Sequence, residues 1–377
     1  MRATSRLLVV SGLAAASLVA CQLLVGITDD EGSPVSDEAG RDADGVDAAA
    51  AARADCGQRR PPAPPSDGGA GGPDLDLIFA FRTVTFVPRL GDGGEPQGVI
   101  GYDLDDRCTG IGTINNDPPC ARPDTATAQD EVDKAGGVDN AFQSTFDDFP
   151  LDKRKPDPAS AAFNKLIGQG KQTLLLVVRN YNGGPDDEEV KIALLSAPGL
   201  ESPSDGGPMW DGGDRWTRPP LVTLFNGLPQ TPLAGYVSNF TLVVGFTDLD
   251  IVFPPFGLPL KNGVLTARIV EDGGIRSLVD GTIAGRGAVD ALIMATGPIE
   301  FAGKNVCADP VLFRLLGDAV CRRRDVPLNV KDDGVKARCD AVSVGIGFEA
   351  NLAHLVDDAG SPAPSPCDAA ATPVCAP

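Results

Sequence analysis

Histidine is almost missing from this chain. His354 is the single one in 377 residues, so any Ser-His or Cys-His relay would have to use it. It sits in "EANLAHLV", which reads as packed or partly exposed structure, and no Gly-x-Ser-x-Gly elbow accompanies it. No Cys-x-x-Cys occurs either, so zinc and redox readings have little to stand on. Positive charge is also short: 32 Lys and Arg stand against 52 Asp and Glu, a net charge of −20. Nucleic acid is bound by releasing counterions with Lys and Arg, so this balance argues against such partners. It suits an envelope protein and is compatible with cation binding.

What is present at the N-terminus is an export signal. Arg2 and Arg6 form a charged region, an apolar run follows from Leu7, and small residues gather towards Ala20. The run is too short for a comfortable membrane span. Its last tetrad, Leu18-Val19-Ala20-Cys21, resembles the lipobox of bacterial lipoproteins, which implies cleavage after residue 20 and diacylation of the Cys21 thiol. Each buried methylene contributes about 0.8 kcal/mol, and two chains hold a protein on a bilayer where one does not. Gln22 in place of Asp implies, by the same resemblance, sorting to an outer membrane. The expected location is therefore the bacterial envelope, with the lipid bilayer as partner through Cys21.

Residues 21–73 are rich in Asp, Ala, Gly and Pro and end in "RRPPAPPSDGGAGGP". They cannot bury enough apolar surface to order themselves, so they read as a tether. The globular body is expected over residues 74–356 and a Pro/Ala-rich tail over 357–377. Setting Cys21 aside leaves eight cysteines, an even number that reads as disulfides outside the cytoplasm. Loop closure favours near neighbours, so Cys108–Cys120 and Cys367–Cys375 are the expected pairs.

The chain holds five copies of Asp-Gly-Gly, four of them in the body, each suited to a turn with positive φ. Between them lie short β-rich runs: "LDLIFAFRTVTF", "TLLLVVRNY", "VKIALLS", "YVSNFTLVVGF", "LDIVF", "VLTARIVE", "LVDGTIAGR" and "VSVGIGFEA". Repeated short strands of this kind predict a mainly β fold, an antiparallel sandwich or jelly-roll-like domain rather than βαβ units. In the last run, Ser343, Gly345 and Gly347 leave one face nearly bare, so another backbone or a helix is expected close by. Three short helices are predicted. Asn140 and Gln143 open the first, with Phe142, Phe146 and Phe149 on one face. Asp157-Pro158 opens the second, with Phe163, Leu166 and Ile167 inward. Asp309-Pro310 opens the third, with Leu312, Leu315, Leu316 and Ala319 on one face and Arg322, Arg323 and Arg324 at its C-terminal end, where the dipole favours cations.

The segments "GYDLDDRCTG", "GGVDNAF", "NYNGGPDDEEV", "TIAGR" and "CDAVSVGIGFEA", behind a lipobox, together resemble predicted lipoproteins found in myxobacterial genomes. The resemblance implies an exported, anchored β-rich domain and lends no catalytic residues.

Two kinds of carboxylate chemistry remain. Asp103, Asp105 and Asp106 precede Cys108, while Asp130, Glu131, Asp133 and Asp139 surround a Gly-Gly turn. Calcium needs six to eight hard oxygens, and Asp103, Asp105, Asp133 and Asp139 are the candidate ligands if the loops converge. Arg107 stands where an EF-hand would want its third oxygen ligand, and in so acidic a chain clusters also arise as solvated turns, the reading that composition favours. Beyond calcium no cofactor is expected. Glycoside hydrolysis would need two carboxylates about 5 to 9.5 Å apart; Asp248, Asp250 and Glu300 are candidates, and Trp210 and Trp216 could stack on a sugar or merely cover their loop. Gly345-x-Gly347-x-x-Ala350 matches a dinucleotide fingerprint only formally, since no βαβ unit follows. The leading expectation is a non-enzymatic envelope lipoprotein that binds a glycan or protein ligand. The alternative is an extracellular, carboxylate-dependent, carbohydrate-active hydrolase.

Overall fold

The computed structural model describes residues 59–66, 71–88, 98–109, 118–126, 133–146, 157–201, 206–218, 224–225, 228–229, 232–253, 256–301, 304–334, 337–359, 367 and 375. The export signal, Cys21, Cys56, most of the tether, Asp130, Glu131 and Phe149 lie outside them. The tether residues that are described, 59–66 and 71–73, are ordered against the body, with Arg59 N donating to the Gly136 carbonyl and Gly72 N to the Asn182 carbonyl, because backbone pairing fixes them where apolar burial does not. Every apolar run singled out in the sequence falls on strands. In chain order these are β1 (Leu75–Thr85), β2 (Thr173–Tyr181), β3 (Asp187–Ala197), β4 (Leu233–Ser238), β5 (Thr241–Phe253), β6 (Phe256–Asp272), β7 (Ile275–Ala288) and β8 (Ala341–Leu352).

The fold is mainly β and antiparallel, as expected, but its strands close into a barrel instead of splitting into two sheets. Each strand pairs with its neighbour in sequence, and β8 returns to pair with β1. Closure satisfies the ladder that an open sheet leaves bare at its edges. "YVSNFTLVVGF" is two strands, not one, because Asn239 and Phe240 both take positive φ (48° and 59°) and reverse the chain between β4 and β5.

Alternation along each strand decides what fills the barrel. Phe79, Phe81, Val244, Leu265, Ile283 and Phe348 belong to one buried cluster, and Phe81 stacks on Phe348 at 4.2 Å and 4°. An eight-stranded barrel is just wide enough for side chains to fill. The apolar cavity left beside Phe81, Phe163 and Phe253 measures about 30 Å³, room for about one water. The outer wall carries cross-strand ion pairs, Arg82–Glu349, Arg268–Asp280 and Lys261–Asp248, a surface suited to water rather than lipid. Among the described residues no helix is long and apolar enough to cross a membrane.

Besides residues 198–232, two connections are long. The first, residues 86–172, carries α1 (Ala141–Thr145) and α2 (Pro158–Gly168); the second, residues 289–340, carries α3 (Val289–Thr296) and α4 (Pro310–Arg322). The predicted caps are present: the Asn140, Asp157 and Asp309 side chains accept N–H bonds from Gln143, Ser160 and Val311. Arg323 and Arg324 donate to the carbonyls of Ala319 and Cys321 in the last turn of α4. That helix buries Phe313, Leu316, Ala319 and Val320, whereas Leu315 faces outward at 41% exposure. The inward face is thus turned from the one expected, because the bulkier Phe313 takes the core position.

The disulfides correct the expected pairing. Cys120 bonds Cys339, Cys307 bonds Cys367 and Cys321 bonds Cys375, with Cα separations of 5.1, 5.8 and 5.5 Å; Cys108 is disulfide-bonded too, but not to Cys120. Near-neighbour closure describes an unfolded chain. In the fold, Cys307 and Cys321 bracket α4, and each captures one cysteine of the tail.

Candidate carboxylate site

The first long connection returns to the barrel at β8 because β8 has a bare face. A Cβ on Gly345 would lie 2.5 Å from the Ile100 carbonyl oxygen and 2.7 Å from Asn140 Nδ2, so only glycine lets residues 100–101 approach. Asn140 fastens the contact: Nδ2 donates to the Ile100 carbonyl (2.9 Å) and Oδ1 accepts from Gly345 N (3.1 Å). The backbone or helix expected beside the bare face is therefore this loop and the start of α1.

A small hairpin then gathers the acids. Lys134 and Val138 exchange backbone hydrogen bonds across Gly136 and Gly137, both at positive φ, which sets Asp133 and Asp139 at the two ends of one turn. Asp139 N donates to the Tyr102 carbonyl at 3.0 Å, laying Asp139 against Asp103. Asp133 N donates to the Thr109 carbonyl (3.0 Å), and Asp133 Oδ2 accepts from Thr109 N (2.5 Å). Between these anchors the chain turns tightly at Asp106 (φ 60°), and Arg107 N is shared by Asp103 Oδ1 (3.3 Å) and Asp105 Oδ1 (2.8 Å).

As a result, Asp103, Asp105 and Asp139 each bring a carboxylate oxygen within 4.8 Å of the others. Asp139 is 3% exposed, and Asp103 and Asp105 are 9% exposed. One oxygen of each accepts a loop N–H, Asp139 Oδ2 from Leu104 N at 2.6 Å. Asp103 Oδ2 is buried and accepts nothing. Asp133 stands beside the trio, bonded to Thr109, and Asp106 turns outward to pair with Arg60 at 2.7 Å.

Burial and mutual repulsion raise the affinity of these groups for protons. Burial is the first cause throughout, lifting Asp103 to about 6. Asp105 rises to about 7 with the charge of Asp103 adding, and Asp133 to about 8 with Asp105 and Asp325 adding. Asp139 lies well above the usual range, from burial and then from Asp105, Asp133 and Asp325.

Asp325, Asp333 and Arg286 escaped the sequence reading. Asp325 is buried from the second connection, where it accepts from Ser343 N (2.8 Å) and Oγ (2.5 Å). Burial raises its pKa, and Arg122 pulls it back. Asp333 adds negative charge near Asp105. Neither lies in a local motif. The only hint was the apolar strand entered at Ala341, whose Ser343 needs a buried partner.

The remaining candidates do not assemble. Asp248 and Asp250 lie exposed on β5, with Asp248 paired to Lys261; the side chain of Glu300 lies outside the described residues. Trp216 is 0% exposed and Trp210 half-buried against it, with centroids 6.1 Å apart, so the pair covers its loop and Trp216 has no face for a sugar. Gly345 and Gly347 lie inside β8, and the next element after it in the chain is another strand, so no strand-to-helix turn is formed by these glycines. His354 is exposed and its backbone N donates to the Asp214 carbonyl. No protein-family model, no curated protein and no solved structure matches this chain.

Proposed function

We propose that this chain is a lipid-anchored envelope protein, sorted to the outer membrane, whose barrel domain binds a divalent cation at Asp103, Asp105 and Asp139. One observation carries the cation reading: three nearly buried carboxylates converge, and one oxygen, Asp103 Oδ2, has no donor. A buried acceptor left without a partner costs about 1 to 3 kcal/mol, more when charged, and a cation supplies what the loops withhold. Carboxylate oxygens alone select hard cations. Calcium, with its flexible shell of six to eight ligands, suits a loop-built site better than octahedral magnesium. Asp133 would then balance charge beside the ion or join it.

The lipobox-like tetrad and the resemblance to myxobacterial lipoproteins support the anchor at Cys21. The cation would hold the first long connection against β8, making a rigid surface for an envelope glycan or protein. The filled lumen supports a partner bound outside the barrel. For hydrolysis, Trp216 has no face for a sugar and Asp248 is paired to Lys261, so the binding role is preferred.

Thermal unfolding in chelator against millimolar calcium tests the reading. Binding only the folded state contributes RT ln(1 + [L]/Kd), about 2.7 kcal/mol at a hundredfold excess over Kd. For a domain of this size the rise in melting temperature is roughly 5 °C, with a smaller one in magnesium and none for Asp103→Ala with Asp139→Ala. Equal melting temperatures in chelator and calcium for the wild type would return these acids to ordinary loop residues. The anchor has its own test: fatty-acid labelling should mark the wild type and not Cys21→Ser.

A further inference from the structure

Outside the carboxylate site the described residues hold a concavity of about 100 Å³, lined by Arg122, Pro123, Asp124, Arg324, Arg338 and Cys339. Three arginines and one aspartate line it in a chain where acids outnumber bases 52 to 32, so composition alone predicts the opposite sign. The arginines come from three segments, and each segment is fixed. Ala121 and Arg338 form a parallel bridge, with Ala121 N donating to the Ala337 carbonyl at 2.6 Å and Cys339 N to the Ala121 carbonyl at 2.9 Å. The Cys120–Cys339 disulfide closes the same junction. Arg324 follows the end of α4, and its Nε donates to the Cys321 carbonyl, which holds the side chain to the helix terminus.

Like charges so placed repel. Burial and then the neighbouring Arg338 lower the pKa of Arg324, while Asp340 offsets part of the effect. The bridge and the disulfide hold Arg338 near Arg324 despite this repulsion, and an anion placed between them would relieve it. Guanidinium forks match the oxygens of phosphate and carboxylate in pairs, which makes them the usual choice for such groups. A water takes about 30 Å³ of liquid, so the concavity has room for about three waters or one tetrahedral oxyanion.

We infer that this concavity is an oxyanion site that takes a phosphate group, either free or as the headgroup of a phospholipid. No carboxylate of the cation cluster lines the concavity, and the variants below leave Arg122, whose charge acts on Asp325 and Asp133, untouched.

The test uses the full chain as Cys21→Ser, so that vesicle binding reports the protein surface and not acyl chains. Inorganic phosphate is titrated calorimetrically at constant ionic strength, against chloride. Saturable binding is expected for this chain, with affinity at least about tenfold weaker in Arg324→Ala with Arg338→Ala. Arg324→Lys with Arg338→Lys keeps the charge without the fork and should fall between, which guards against a variant that merely misfolds. Co-sedimentation with phosphatidic acid in phosphatidylcholine vesicles, over phosphatidylcholine alone, separates the sources. Vesicle binding that phosphate competes away identifies the headgroup; phosphate binding without vesicle binding identifies the free anion. No saturable binding at millimolar phosphate, or equal affinity in all three proteins, overturns the inference.

Discussion

Arg286 and Asp333 form a bidentate pair, Nη1 to Oδ1 and Nη2 to Oδ2, both at 2.7 Å. Arg286 projects from β7 and is 0% exposed. The same guanidinium donates to the Pro327 carbonyl at 2.8 Å and to the Leu104 carbonyl at 2.7 Å. Leu104 lies between Asp103 and Asp105, so one buried side chain ties the barrel wall to both long connections and to the carboxylate loop.

Breaking this pair should therefore cost both stability and cation affinity. Asp333→Ala leaves a buried guanidinium without its counter-charge, a change worth about 3 to 5 kcal/mol. Urea denaturation should record that loss, and a calcium titration should show weaker binding although no proposed ligand has been touched. Wild-type stability in Asp333→Ala would mean that the pair braces nothing.

The acids make the cation-free protein sensitive to alkali rather than acid. Their folded pKa values, about 6, 7 and 8 for Asp103, Asp105 and Asp133 and well raised for Asp139, exceed the ordinary aspartate value of 3.8. The fold thus binds protons more tightly than the unfolded chain, and its stability from these groups is complete below about pH 4 and lost as pH rises through 8. Each group costs about 1.4 kcal/mol per pH unit while it is protonated only in the fold. Melting in chelator should fall over this window, and Asp139→Asn should flatten the fall by removing one titration. Calcium should reverse it, because binding requires deprotonated ligands and tightens as pH rises. A chelator profile with the same slope in wild type and Asp139→Asn would refute this account.

The disulfides predict a definite peptide map. A non-reduced digest should yield Cys120 linked to Cys339, Cys307 to Cys367 and Cys321 to Cys375. Cys120 and Cys339 are separated by 219 residues, so their bridge restricts the unfolded chain most among these three. Cys120→Ser with Cys339→Ser should cost up to about 5 kcal/mol in the chain-entropy picture, with 2 to 4 being typical of measured bridges. A digest linking Cys108 to Cys120 would contradict the fold around the carboxylate loop.

Gly345→Ala probes the close approach on which the site is built. Its new methyl would meet the Ile100 carbonyl oxygen at 2.5 Å, a backbone atom held by Asn140, so strain of about 1 to 3 kcal/mol is expected. Chemical denaturation should register it together with weaker calcium binding, since residues 100–101 lead directly into Tyr102 and Asp103. An unchanged midpoint would show that the loop can retreat from β8 at no cost.

Local chemistry fixed the parts of this protein that depend on neighbours in sequence. The strands were legible because alternation and Asp-Gly-Gly turns are local, and the helices at Asn140, Asp157 and Asp309 because a cap needs only three or four residues. α3 was missed: Ala288 gives it no side-chain cap, and it runs on directly from β7. Clustering and a Gly-Gly turn single out Asp103, Asp105, Asp133 and Asp139 as candidate ligands, and the structure brings three of them together. What the tertiary structure alone decided is everything that joins distant segments. Whether antiparallel strands close into a barrel or stack as a sandwich depends on how β1 meets β8, more than 250 residues apart. The disulfide partners follow from the position of α4, not from loop length. Asp325, Asp333 and Arg286 join the site because the two long connections fold over the same end of β7 and β8, and no pattern within either segment records that the other lies against it.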